Sequence, residues 1–288
     1  MKARPRVWVV VIRLLTILAS VFGLIGCAST IPTGAEGKVR IVVSILPQAY
    51  FVERIGGDRV EVTVMVPPGA SPATYEPTAS QMRDLSRADV YIRIRVPFEE
   101  AWMDRIAAVN PSMLIVDSST DIERIGGKDP HIWLSPRLVK IQAENIYQGL
   151  AEVDPEHADF YAQNKEQFIK DLDALDAEIA DLLSGVKGKK FMVFHPSWSY
   201  FAQDYGLEQI PVEIEGKEPS AAELAELIEI AKTNDIKVIF VAPQFSTRSA
   251  ETIARQIGGQ VVFVDPLARD WMNNLRAVAK AFAQGLGE

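Results

Sequence analysis

The sequence predicts an α/β protein of two lobes, each a parallel sheet flanked by helices, joined by one long helix across a cleft. Three observations predict it. Short, near-continuous apolar runs alternate with longer helical stretches through both halves of the 288-residue chain, as parallel strands covered on both faces do. One long amphipathic segment occupies the middle of the chain. Three residues able to bind a cation or anion follow apparent strands, two of them directly, and open parallel sheets bind ligands outside the carboxyl ends of their strands.

Residues 1–26 read as an export signal. Lys2, Arg4 and Arg6 form a basic start, an apolar stretch runs from about Leu14 to Ile25, and Leu24-Ile25-Gly26-Cys27 follows. That last group looks like a bacterial lipobox, in which the Cys27 thiol is lipidated and becomes the new N-terminus. An uncleaved membrane anchor is the competing reading, but Arg13 splits the apolar run and leaves it short for a span of roughly 20 residues. Residues 27–37 (CASTIPTGAEG) are small, polar and turn-forming, as a flexible tether requires. The predicted location is extracytoplasmic and lipid-anchored, on the periplasmic side in a Gram-negative cell. Cys27 is the single cysteine, so its acylation leaves no thiol for a disulfide, a thiolate metal site or a cysteine nucleophile. The formal charge of −8 becomes more negative once Arg13 and the three leading basic residues leave with the signal. An acidic exported body is a poor partner for nucleic acid or anionic lipid.

Residues 38–153 form the first predicted lobe, with strands at VRIVVSI (39–45), VEVTVMV (60–66), DVYIRI (89–94) and MLIVD (113–117). Residues 154–185 form the connecting helix. Asp154 suits the N-cap, Pro155 the first helical position and Gly185 the stop. Tyr161, Phe168, Leu172, Leu175, Ile179 and Leu182 make one apolar stripe. About thirty residues at helical rise span roughly 45 Å, the height of both lobes. Residues 186–288 form the second lobe, with strands at KKFMVFH (189–195), a weaker QIPVEI (209–214), KVIFVA (237–242) and QVVFVD (260–265). Gly56-Gly57 and Gly258-Gly259 end helices and lead into strands.

The chemistry lies at the strand ends. Of only three histidines, His195 directly follows one strand and His131 lies in the loop after another, while Asp265 directly follows the last. Imidazole nitrogens with a carboxylate suit zinc and also accommodate manganese or iron. Each residue has a bland reading: a buried hydrogen-bonded histidine at 131, a strand-end histidine before Pro196, a capping aspartate before Pro266. His157, among Glu156 and Asp159, reads as solvated. No Gly-rich phosphate loop, GxSxG elbow or HExxH pair is present. Glu99 and Glu100 in VPFEEAWMDRI read as acids at a helix start, where the dipole favours them.

The segments IGGDRVEVTVMVPPGASPATYEP, ADVYIRIRVPFEEAWMDRI, DPHIWLSP, FHPSWSYFAQDYGL and APQFSTRSAETIARQIGG…VDPL together resemble the zinc/manganese-binding receptors of bacterial ABC importers. The resemblance runs from about Val39 to the C-terminus; DPHIWLSP and GASP-x-x-YEP are its most specific pieces. It implies a substrate-binding lipoprotein, not an enzyme, that captures a divalent metal, zinc first and Mn²⁺ or Fe²⁺ as alternatives, in a cleft between the lobes. It also implies a cognate permease with its ATPase as partner and a monomeric receptor held to the membrane through Cys27. In metal ligation, His131 matches the second family histidine, His195 the third ligand of zinc-type members and Asp265 the final carboxylate. The first family histidine falls where this chain has Ala73. Glu76 and Glu218 are the nearby carboxylates that are candidates for a fourth ligand. The family's His-rich acidic loop is missing from the short DIERIGGK stretch at 121–128. Competing functions are a receptor for manganese, iron or a chelated metal, a surface adhesin or signalling relative, and a zinc hydrolase, since three ligands and an open position are also a catalytic zinc arrangement.

Overall fold

Eight strands form, all parallel, in two sheets of four, in the computed structural model, which describes residues 37–213 and 216–287. The expected export signal, Cys27 and nearly all of the tether lie outside the described residues. The first sheet uses β1 (Val39–Val43), β2 (Val60–Val64), β3 (Val90–Arg93) and β4 (Leu114–Asp117) in the order β2-β1-β3-β4. The second uses β5 (Lys190–Val193), β6 (Glu208–Pro211), β7 (Val238–Val241) and β8 (Gln260–Phe263) in the order β6-β5-β7-β8. The two orders are the same. Each sheet therefore reverses direction of winding at its second and third strands in space, and the crevice at such a switch point is where a ligand sits.

The helices are α1 (Leu46–Gly56), α2 (Ala79–Leu85), α3 (Pro97–Val109), α4 (Pro136–Val153), α5 (Ala158–Leu182), α6 (Ser199–Tyr205), α7 (Ala221–Thr233), α8 (Arg248–Ile257) and α9 (Trp271–Gly287). Among the described residues no helix is long and apolar enough to cross a membrane.

Strand alternation sorts the second lobe into two cores. Phe191 and Val193 of β5 and Val238 and Phe240 of β7 face a large apolar cluster that also holds Phe51, Phe168, Trp133 and Trp271. Met192, Ile239 and Val241, on the opposite faces, pack with Val212, Ile253 and Ile257 in a smaller one. A period of two with both faces buried is why these strands read as unbroken apolar runs. The large cluster runs through both sheets, because α5 buries Phe168, Leu172, Leu175 and Ile179 against helices from either half. Phe240 and Phe282 stack at 4.2 Å within it.

The expectations at the start of the long helix are corrected. The long helix begins at Ala158, after a 3-10 turn over Pro155–His157. The Asp154 carboxylate does not cap it. Instead it accepts from Tyr161 Oη at 2.6 Å and engages His157 Nδ1 at 2.8 Å, so His157 is a partnered, half-buried side chain rather than a solvated one. Glu99 and Glu100 stand in the first turn of α3 as expected; Glu99 is in addition fully buried, accepting from the Ser44 hydroxyl and from the amides of Ile94 and Arg95. Burial raises its pKa, against the lowering effect of those donors.

Candidate metal centre

His195 stands where the β5 ladder stops. Phe194 N still donates to Phe240 O and Glu213 N to Phe194 O; Pro196 then ends the strand and His195 projects from its carboxyl end. His131 sits on a tight turn. Ile132, Trp133 and Leu134 form a buried 3-10 turn behind it, and Ser135 caps α4, its hydroxyl accepting from Leu138 N at 3.2 Å. The buried turn and the cap hold the ring direction.

The two imidazoles meet. Their Nε2 atoms lie 3.3 Å apart. On the far side of each ring a carboxylate holds Nδ1: Asp129 Oδ1 at 2.7 Å for His131, and Glu213 Oε1 at 2.8 Å for His195. A carboxylate accepts, so each Nδ1 carries the proton and each Nε2 presents its lone pair. Two lone pairs facing each other at this distance repel unless a proton or a cation lies between them. Burial pushes the His131 imidazole below its ordinary pKa, only partly opposed by Asp129. Burial pushes Asp129 up, but the hydrogen bond from His131 and the charge beside it hold it below the usual carboxylate range. His195 also stacks on Phe245, centroids 4.8 Å apart.

Asp265 is close by but engaged elsewhere. Its Oδ1 accepts from Gln244 Nε2 and from Leu267 N, each at 2.9 Å. Among the described residues no three His, Cys, Asp or Glu side chains converge as a metal-holding cluster. What stands together is the histidine pair. Ala73 lines the same cavity as both histidines, with Gln244, Phe245 and Leu267; its loop is tied to α3 by Phe98 N donating to Pro72 O at 3.1 Å. Glu76 is exposed and Glu218 accepts from the Ser249 hydroxyl. Neither lines that cavity.

Residues 41–285 match the family described as ZnuA, zinc-uptake complex component A, periplasmic. The chain belongs to this family. It is 27% identical to the high-affinity zinc uptake system protein ZnuA of Bacillus subtilis over 88% of either chain. It is 30% identical to the zinc-binding lipoprotein AdcA of Streptococcus pneumoniae over 87% of this chain and 54% of that one. A crystal structure of ZnuA covers 86% of this chain and 99% of its own at 48% identity, with a TM-score of 0.84.

Asp129, Glu213, Gln244 and Phe245 escaped the sequence reading. Gln244 carried a usable signal, since it follows the strand that neighbours β5 at the switch point. Asp129 and Glu213 had none: a carboxylate behind a ring is defined by turn geometry in one case and strand register in the other.

Proposed function

We propose that this chain is the substrate-binding component of an ABC importer and captures zinc outside the membrane. The spacing of the two imidazoles carries the reading. Zinc bonds imidazole nitrogen at about 2.0–2.1 Å with tetrahedral angles, which sets two ligating nitrogens about 3.3–3.4 Å apart. The observed separation is 3.3 Å. Asp129 and Glu213 supply the carboxylate–histidine pairing that orients metal-bound imidazoles and raises their basicity. Nitrogen donors favour zinc, whereas manganese prefers oxygen.

In this reading His131 and His195 are ligands, and Asp265 is the third through Oδ2, its Oδ1 staying with Gln244 Nε2 and Leu267 N. Ala73 leaves a further position to an outside donor. The zinc hydrolase reading is disfavoured: apart from the histidines, the cavity wall holds no titratable side chain to act as general base. The lobes are taken as 38–153 and 186–288, joined by 154–185. Lipidation of Cys27 tethers the receptor, and a permease with its ATPase receives the zinc.

Calorimetric titration of zinc into the metal-stripped protein tests the assignment. One saturable site is expected, weakened at least about tenfold by His195→Ala. Absence of saturable binding, or an unchanged His195→Ala variant, refutes it.

A further inference from the structure

We infer that the cavity beside the histidine pair admits, along with the cation, one small uncharged nitrogen ligand bearing both a lone pair and an N–H. Imidazole is the simplest member of that class. The inference rests on the zinc-capture reading and specifies what travels with the metal.

The cavity measures about 150 Å³. Its polar side chains are few. Ser71 Oγ accepts from Ala73 N at 3.3 Å, Trp133 Nε1 is spent on Pro266 O, and the remaining ones are His131, His195 and Gln244. Pro72, Pro97, Phe245 and Leu267 contribute apolar surface. The cavity opens toward solvent at Ala73, and its volume is about that of a cavity that takes a ring the size of benzene. With both Nε2 atoms committed to a cation, a water keeps the open zinc position and Gln244 Oε1 as partners but covers none of the apolar wall.

Gln244 supplies the second observation. Its Nε2 donates to Asp265, which settles the orientation of the amide and makes Oε1 the remaining end. That oxygen is buried and has no hydrogen-bond partner among the described residues. A buried acceptor left unpaired is costly, so a donor belongs opposite it. A four-coordinate zinc held by two imidazoles and one carboxylate keeps one position for an external atom. One azole ring meets every requirement: its lone-pair nitrogen completes the zinc, its N–H serves Gln244 Oε1, and its carbons lie against the prolines and Phe245. Ala73, exposed and in the wall, leaves room for such a ring to enter.

The test measures zinc affinity of the metal-stripped, full-length protein at matched free zinc, with and without millimolar imidazole, by competition with a chromophoric chelator. Wild type is expected to hold zinc about tenfold more tightly when imidazole is present, the low end of what a ligand-shell partner contributes. Ala73→His, which brings its own ring, and Ala73→Leu, which fills the space without a donor, are both expected to lose the gain. Ala73→Leu decides the matter if Ala73→His does not fold. Zinc affinity indifferent to imidazole in wild type, or a gain that survives in Ala73→Leu, overturns the inference and leaves zinc capture standing. No zinc binding under either condition overturns both.

Discussion

Asp129 and Glu213 turn two ordinary histidines into a pair of directed lone pairs, because each carboxylate claims the Nδ1 proton of its ring. Burial does the rest at His131 by disfavouring the imidazolium. Its folded pKa lies below the ordinary value of about 6.5, so the unfolded chain binds more protons in that window. The stability His131 contributes is therefore present above about pH 6.5 and is lost as pH falls through the folded pKa. Urea unfolding of the metal-free protein between pH 7 and pH 5 should show a smaller loss of stability for His131→Gln than for wild type. Equal losses would mean that burial of this ring does not govern its protonation. At this scale the sequence named both histidines and Asp265 from their places after strands. The bond from Leu267 N fits the local capping reading of Asp265, whereas the hold of Gln244 on Asp265 was not legible, because a hydrogen bond between the ends of two neighbouring strands depends on register.

Strand and helix identity followed closely from local pattern. All eight apolar runs became strands, including the weaker 209–214 run, seen as β6 at Glu208–Pro211. Helix ends were harder, since Asp154 bonds to side chains where a cap was expected. Glycine at 259 has a tertiary reason to be there. A Cβ on Gly259 would sit 2.1 Å from the carbonyl oxygen of Lys237, whose oxygen also accepts from Gln260 N at 2.8 Å to start the β7–β8 ladder. Backbone cannot yield as a side chain does. Gly259→Ala is expected to lower stability by roughly 1–3 kcal/mol, the range of overpacking, measured by denaturant unfolding. An unchanged midpoint would show that the turn relaxes freely.

Across the whole molecule, the lobes are held together by more than α5. Trp133 Nε1 donates to Pro266 O at 2.7 Å, and Trp271 Nε1 donates to Trp133 O at 2.8 Å. The turn bearing His131 is thereby bonded to the loop after Asp265. Trp271 also meets Phe51 edge-on at 5.0 Å, and Arg269 pairs with Glu53. A continuous core bridging both sheets leaves little room for a wide hinge motion. Scattering from zinc-free and zinc-loaded protein should therefore nearly superimpose, with a radius of gyration of roughly 19 Å for a compact chain this long changing by less than ~1 Å. A larger contraction would place the metal response in the lobes rather than in side chains such as Asp265. Periodicity, turn residues and strand polarity, all local properties, were enough to determine two parallel sheets and the long helix that joins them. Only the tertiary structure decided that two imidazoles meet at 3.3 Å with a carboxylate behind each, since His131 and His195 are 64 residues apart in the chain and their approach depends on packing.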